Sequence, residues 1–452
     1  MTRRVLTAIL FYPRGGSAHA ARALARGLRN EGWEVTLVAG SREDLGGHGD
    51  ARRFYGDPHA VDFSAALATE QPTRFEAPSG SAPMHPSFED RPGAPDVVFA
   101  ALDDHEYELQ VRTWAREIER AGGSDTDVFH LHHLTPLNEA ATRVAPGVPV
   151  VSQLHGTELL MLEEIDSGPP AGWSYAEQWT QRIRTWATRS ERILVSPSGV
   201  ERARALLGVS REQLFVLRSG VDLELFKPRA MNREAFWRKI LVEAPQGWLP
   251  GEPPGSASYS EDAVQQLARS TTFLYVGRFT AVKRLDLLIE AFALAQERTE
   301  KPAGLVLLGG HPGEWEGEHP QEIVRRRGVE GVFLAGWYEH EDLSEFFGAA
   351  DAVVLSSARE QFGQVLVEGM ACELPAIATR SLGPSSIIED GQTGWLVDQD
   401  PEALAVAMSA AIEDAPERRR RGAAARLAAQ ERYSWTAIAK ELSELLAGLV
   451  DQ

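Results

Sequence analysis

The chain has 452 residues, too many for one ordinary hydrophobic core, so two domains are expected. With 43% apolar and 25% charged residues its composition is globular, and no apolar run approaches the ~20 residues that cross a bilayer. A formal net charge of -19 sets it against nucleic acid and anionic membrane surfaces, and its single cysteine, Cys372, excludes an intrachain disulfide and points to a reducing, cytoplasmic setting.

Residues 5–12 read as a buried strand. Their apolar stretch is short, no small-residue cleavage site follows, and Gly15-Gly16 leads straight into a helical pattern, so a strand is expected rather than a secretory signal. A helix at 18–30, stopped by Gly32, and a strand at 34–39 complete a parallel α/β unit. From about 41 to 95 the chain is rich in Gly, Pro, Ser and acids with weak periodicity, which predicts a long loop region with room for one short element. A helix follows at 105–120, then strands at 128–132 and 148–154, a helix at 173–190, a strand at 193–196, a helix at 200–207 and a strand at 214–217.

Gly220-Val221-Asp222-Leu223-Glu224-Leu225-Phe226-Lys227-Pro228 marks a turn and an exit. Residues 229–269 read as an inserted connector with a Pro/Gly/Ser-rich middle at 251–258, where Trp237 and Trp248 are expected only to pack. A second α/β series follows. Strands are expected at 272–276, 305–308, 332–334, 352–355 and 375–378. Helices are expected at 284–296, 321–327, 342–347, 364–372, 401–414 and 418–431. The last segment, 435–449, places Trp435, Ile438, Leu442, Leu445 and Leu449 on one helical face. The pattern predicts two doubly wound domains facing each other across a cleft.

Open α/β sheets bind ligands beyond the carboxyl ends of their strands, and the unusual residues fall there. After the strand ending at Val276 comes Gly277-Arg278-Phe279-Thr280-Ala281-Val282-Lys283. Arginine offers a planar fork for phosphate oxygens and lysine a point charge, so Arg278 and Lys283 together suit a diphosphate; a solvated helix start is the plain alternative. After the strand at 352–355 comes a loop with Glu360, then Gly363-Gln364-Val365 opening a helix that carries Glu368. Backbone N–H groups at such a helix start can hold an anion, and carboxylates accept bonds from vicinal hydroxyls. In so acidic a chain, two surface acids are the plain alternative. G-x-G-x-x-G is missing at Gly15-Gly16 and G-x-x-x-x-G-K-S/T is missing throughout, which argues against dinucleotide oxidoreductases and P-loop NTPases. His130, His132 and His133 cluster at one strand end and His155-Gly156-Thr157-Glu158 follows another, yet no H-E-x-x-H occurs and only Cys372 could add a thiolate, so no metal site is expected. His311, Glu314, Glu316, Glu318 and His319 read as an exposed polar loop.

Gly15-Gly16, the His155-Gly156-Thr157 turn, residues 220–226, 277–283 and 360–368, and Gly391-Gln392-Thr393-Gly394-Trp395-Leu396-Val397 stand in one order and spacing. Together they resemble the retaining glycosyltransferases of the GT-B fold, glycosyltransferase family 4 in particular. The resemblance implies an N-terminal acceptor domain at 1–226, completed by a crossover helix at 434–452, and a donor domain at 227–433. It implies that Arg278 and Lys283 bind the donor diphosphate, Glu368 the ribose and Glu360 the transferred sugar. Gly16, Gly363, Gln364 and Val365 would cap phosphate and sugar, Gly336 and Trp337 would lie by the nucleobase, and His155 would sit at the reacting centre.

The implied activity is transfer of a hexose from a nucleotide-sugar donor, UDP-sugar first and GDP-sugar second, to a small-molecule or glycan acceptor. The implied chemistry is front-face displacement, since no carboxylate stands out as a glycosidase-like nucleophile; Arg278, Lys283 and helix N–H groups would replace a metal ion, and no cofactor is expected. Gln361, Gln364, Arg218-Ser219 and Gly383-Pro384-Ser385-Ser386 depart from the family's usual residues. An epimerase of the same fold would need no acceptor, a phosphorylase would need a pyridoxal-phosphate lysine, and a two-lobed solute-binding protein would need export and would leave the four charged donor residues without a reason.

Overall fold

The computed structural model describes residues 2–13, 15–68, 81–89, 96–310 and 315–451. The chain divides into two compact units, Met1–Ser219 with Trp435–Gln452, and Gly220–Ser434.

The first unit is built on seven strands: β1 (Arg4–Ile9), β2 (Glu34–Ser41), β3 (His59–Asp62), β4 (Val128–His132), β5 (Val150–Gln153), β6 (Arg192–Val195) and β7 (Leu214–Val216). Their order is β3-β2-β1-β4-β5-β6-β7, with every pairing parallel. The order reverses between β1 and β4, which is the switch point of a doubly wound sheet. Helices cover the strands, so β1 and β4 are buried along nearly their whole length, Thr7, His130 and His132 included.

The expectation of a long loop over 41–95 needs correction. Helix Ala51–Tyr55, strand β3 and helix Ser64–Leu67 occupy its first half, and β3 adds to β2 with Val38 opposite His59. Four residues with two apolar side chains were too short a pattern to read as a strand. Residues 69–80 and 90–95 lie outside the described residues. Between them, residues 82–88 are buried: the His85 ring meets Phe11 and Phe63 edge-on, and the Met84 carbonyl accepts from Gln110 Nε2 at 2.7 Å. Helices Pro136–Val144 and Thr157–Ser167 were also unforeseen.

The final helix, Trp435–Val450, packs on helix Gly15–Asn30. Gly27 makes this close approach possible, because a methyl there would collide with the Ala439 methyl. The Trp33 indole donates to Ser443 Oγ at 2.9 Å, and Ile438, Leu442 and Leu446 share a core with Val5, Leu24 and Leu28.

The second unit has six strands: β8 (Thr271–Val276), β9 (Ala303–Leu308), β10 (Val332–Gly336), β11 (Ala352–Leu355), β12 (Ala376–Thr379) and β13 (Gly394–Val397). Their order is β10-β9-β8-β11-β12-β13, again all parallel, with the reversal between β8 and β11. The connector is part of this unit's core and carries helices Arg233–Arg238 and Glu261–Arg269. Trp237 and Trp248 are fully buried. Tyr259 Oη accepts from the Leu334 N–H at 2.7 Å, so the connector also satisfies part of the edge of β10.

Replacing Gly27 with Leu should force Ala439 and the final helix away from the first unit. The expected cost is about 1–3 kcal/mol of stability, read by urea denaturation. An unchanged midpoint would contradict this packing.

Candidate active site

Three loops of the second unit leave the carboxyl ends of neighbouring strands. The loop after β8 carries Arg278 and Lys283. Tyr275, fully buried, donates its phenol hydrogen to the Arg278 carbonyl at 2.9 Å and pins the turn. Gly309, after β9, has φ +116° and lies so close to the Gly277 carbonyl that a Cβ would collide with it. Glu316 Oε2 accepts from the Ala281 N–H at 3.0 Å, and the Glu316 N–H donates to the Phe279 carbonyl at 2.8 Å. Trp248 stacks on Phe279 with ring centroids 5.9 Å apart. The connector, whose tryptophans were expected only to pack, therefore buttresses the cationic loop.

The loop after β11 carries Glu360. It is braced to the first loop by Ser356 Oγ, which donates to the Lys283 carbonyl at 2.8 Å, and by the Ala358 N–H, which donates to the Val282 carbonyl at 2.8 Å. The Lys283 ammonium meets Glu360 Oε2 at 2.6 Å, and the Ser357 hydroxyl donates to the same oxygen at 3.4 Å. The Gly383 N–H donates to the Glu360 carbonyl at 2.8 Å, which gives one of the departing residues a structural role. Arg278 is exposed, and among the described residues no ion pair holds its guanidinium.

Gly363 ends this loop and precedes helix Gln364–Ala371. Gln364 Nε2 donates to the Gly220 carbonyl at 2.7 Å, so its amide ties the helix start to the first residues of the unit. Val365 is half-buried. Glu368, one turn further on, is only 2% exposed, and one of its oxygens meets His340 Nε2 at 2.7 Å. Phe226 lies edge-on to the His340 ring with centroids 5.1 Å apart. The sequence reading missed His340, since a lone histidine between acids carries no pattern. At the end of β10, Gly336 is buried and Trp337 is 41% exposed.

The expected polar loop around His319 also needs correction. His311 and Glu314 lie outside the described residues, while Glu318 pairs with Arg326 at 2.8 Å. His319 is fully buried among Trp248, Trp315 and Phe279, and its Nδ1 accepts from the Gln321 N–H at 3.2 Å as a helix cap. Burial holds this imidazole down at about 4, which keeps it neutral and able to accept.

The remaining two predicted residues belong to the first unit. Gly16 is exposed in the first turn of helix Gly15–Asn30. His155 is half-buried after β5, ahead of Gly156 and helix Thr157–Ser167. The histidines seen in the sequence form one contiguous cluster. His130 Nε2 meets Gln153 Oε1 at 2.9 Å, His132 Nδ1 meets His155 Nε2 at 3.0 Å, and His133 Nδ1 meets Glu158 Oε1 at 2.6 Å. Glu158 is fully buried and its other oxygen accepts from the His155 N–H at 3.3 Å. Burial pushes His130 down to about 4 and holds His132 and His155 well below the usual imidazole range, with repulsion between the rings adding to it.

The second unit brings Arg278, Lys283, Glu360 and Glu368 to the ends of the strands on either side of its switch point. Two parallel, doubly wound units are the fold of the GT-B glycosyltransferases. Residues 14–225 match the model of Glycosyltransferase Family 4, and residues 261–428 match that of Glycosyl transferases group 1. The chain therefore belongs to glycosyltransferase family 4. It is 33% identical over 222 residues to a D-inositol 3-phosphate glycosyltransferase of Corynebacterium urealyticum, a stretch that is 47% of this chain and 51% of that relative. It is 26% identical over 406 residues, 86% of each chain, to the enzyme of the same name from Thermomonospora curvata. Among solved structures it resembles Anabaena HepE in complex with UDP and glucose, with a TM-score of 0.65 at 17% identity over 99% of this chain and 100% of that one.

The histidine cluster makes stability depend on acid. A buried imidazole with a depressed pKa takes up its proton more readily when unfolded. Its contribution is complete above the unfolded value of 6.5 and is lost as pH falls toward about 4. For His130 this amounts to about 3 kcal/mol, from 1.36 kcal/mol per unit. Denaturant titrations at pH 7 and pH 4.5 should show a smaller difference for His130→Asn than for the wild type. Equal differences would contradict the buried, neutral assignment.

Proposed function

We propose that the protein transfers a hexosyl group from a nucleotide diphosphate sugar, UDP-sugar ahead of GDP-sugar, to a hydroxyl of a small-molecule or glycan acceptor, with retention of anomeric configuration and without a metal ion. The observation that carries the reading is the braced pair of loops that sets Lys283 and Glu360 2.6 Å apart, with Arg278 on the same loop as Lys283. A diphosphate supplies negative charge for Arg278 and Lys283, and a hexose supplies hydroxyls for Glu360. Glu368, held by His340, has its other oxygen for a ribose hydroxyl. Gly336 and Trp337 flank the base, and the backbone at Gly363 and Val365 caps phosphate and sugar.

In this reading the bond from the anomeric carbon to the diphosphate oxygen breaks as the acceptor oxygen bonds to that carbon on the same face. The acceptor proton passes to the departing diphosphate oxygen. Arg278 and Lys283 stabilise the charge that develops there, the role a metal ion has in other transferases. Glu158 is committed to His133 and to the His155 backbone, so it is not offered as a nucleophile. The UDP and glucose named for the Anabaena structure and the inositol phosphate named for the curated relatives support the donor and a polyol acceptor. Among the described residues no helix is long and apolar enough to cross a membrane. A cytoplasmic setting is part of the proposal.

Calorimetric titration with UDP- and GDP-sugars in EDTA tests the reading. Each charge-assisted contact contributes about 1.5–3 kcal/mol, so Arg278→Ala with Lys283→Ala should weaken donor binding about a hundredfold or more. The anomeric proton coupling of the product should match that of the donor. Absence of binding by any nucleotide sugar, or binding that vanishes with EDTA and survives the double substitution, would contradict it.

A further inference from the structure

We propose that His132 is a positioning residue that fixes His155 in the tautomer carrying its proton on Nδ1, so that His155 presents a hydrogen-bond donor rather than a lone pair at that atom. The consequence for catalysis rests on the reading of His155 as the histidine of the reacting centre; the ring assignment rests on the unliganded geometry alone.

A neutral imidazole has one N–H and one acceptor nitrogen, and the partner of each nitrogen decides which is which. His130 Nε2 faces the amide oxygen of Gln153, which only accepts, so the proton is on Nε2. His133 Nδ1 faces a carboxylate oxygen of Glu158, so the proton is on Nδ1. In both rings the opposite nitrogen is sealed from solvent and has no partner among the described residues. His132 follows the same logic. Its Nε2 is buried with no partner among the described residues, and a proton there would be an orphaned donor. Placed on Nδ1, the proton is given to His155 Nε2 at 3.0 Å. That nitrogen of His155 is then an acceptor, and its own proton is on Nδ1.

The backbone holds the two rings in this relation. β4 and β5 pair with His132 beside Gln153, two residues before His155. The His133 N–H donates to the Gln153 carbonyl at 2.8 Å, and His133 adopts φ +68°, a left-handed conformation at the end of β4. The His132 and His155 rings lie nearly parallel, 23° apart. The charged or titratable groups facing the pair are His130, His133 and Glu158, and Glu158 is held by His133 and the His155 N–H. An Nδ1–H at His155 can bond to a sugar hydroxyl or a departing phosphate oxygen, and it cannot take the acceptor proton. This agrees with a displacement in which the leaving diphosphate is the base.

The test is nitrogen NMR of histidine-labelled, ligand-free protein, with the His155 signal identified by its loss in His155→Gln. The expected wild-type spectrum shows Nδ1 protonated and Nε2 bare. His132→Phe removes the donor and should shift His155 toward the Nε2–H form. His132→Asn, whose amide N–H can stand where Nδ1 stood, should restore the wild-type spectrum and keeps the test available if the Phe variant does not fold. With donor and acceptor, His132→Phe should lower kcat at least about tenfold, as a wrong tautomer does elsewhere, with donor KM within about twofold and activity recovered in His132→Asn. An Nε2–H signal in the wild type, or a His155 spectrum unchanged by His132→Phe, would overturn the proposal. The spectrum needs no donor, so it decides the ring assignment even where the transferase reading fails.

Discussion

The Lys283–Glu360 ion pair ties together two loops that the chain delivers from opposite sides of a switch point. Lys283 arrives after β8 and Glu360 after β11, and the strand order reverses between those strands. In a chain with net charge -19, a site for an anion needs cations held against the mean field. The pair does this locally. It keeps a half-buried ammonium neutralised, while Arg278 is exposed on the same loop. The backbone bonds from Ser356 and Ala358 to the first loop mean that the geometry does not rest on the charges alone.

The loop is supported from below by elements that carry no charge. Tyr275 grips the Arg278 carbonyl, Gly309 lets β9 come close to Gly277, and Trp248 presses on Phe279. Buried polar groups are costly unless bonded, so a phenol committed to one carbonyl is a strong local restraint. The first unit uses another device. Its His130 and His132 rings are buried and neutral, and Glu158 ties the His133 ring and the His155 backbone to one carboxylate. Such a network specifies one arrangement, at the cost of lability in acid.

Much of the fold was legible because parallel strands buried on both faces read as short apolar runs closed by glycine or polar residues. β11, Ala-Val-Val-Leu, is legible to the residue for that reason, whereas β4 carries two histidines and is legible from its Val, Phe and Leu. Strand β3, His-Ala-Val-Asp, was not, because an edge strand of four residues has no period to detect. The connector misled through its Pro/Gly/Ser-rich middle. Its ordering comes from Trp237, Trp248 and Tyr259, which find their partners only in the folded unit. Of the candidate site, the places of Arg278, Lys283, Glu360 and Glu368 after strands and at a helix start are legible, while their roles come only from the family resemblance. His340 was not, because its meeting with Glu368 depends on two distant segments, and neither were the pairings within the histidine cluster.

A crystal structure of the protein soaked with UDP and a UDP-sugar tests the central claim most directly. The account predicts the diphosphate between Arg278 and Lys283, the ribose on the free oxygen of Glu368 with His340 still in place, and the hexose within reach of Glu360. A nucleotide bound away from these four residues, or one that leaves the Lys283–Glu360 pair and Glu368 without a contact to it, would contradict the account.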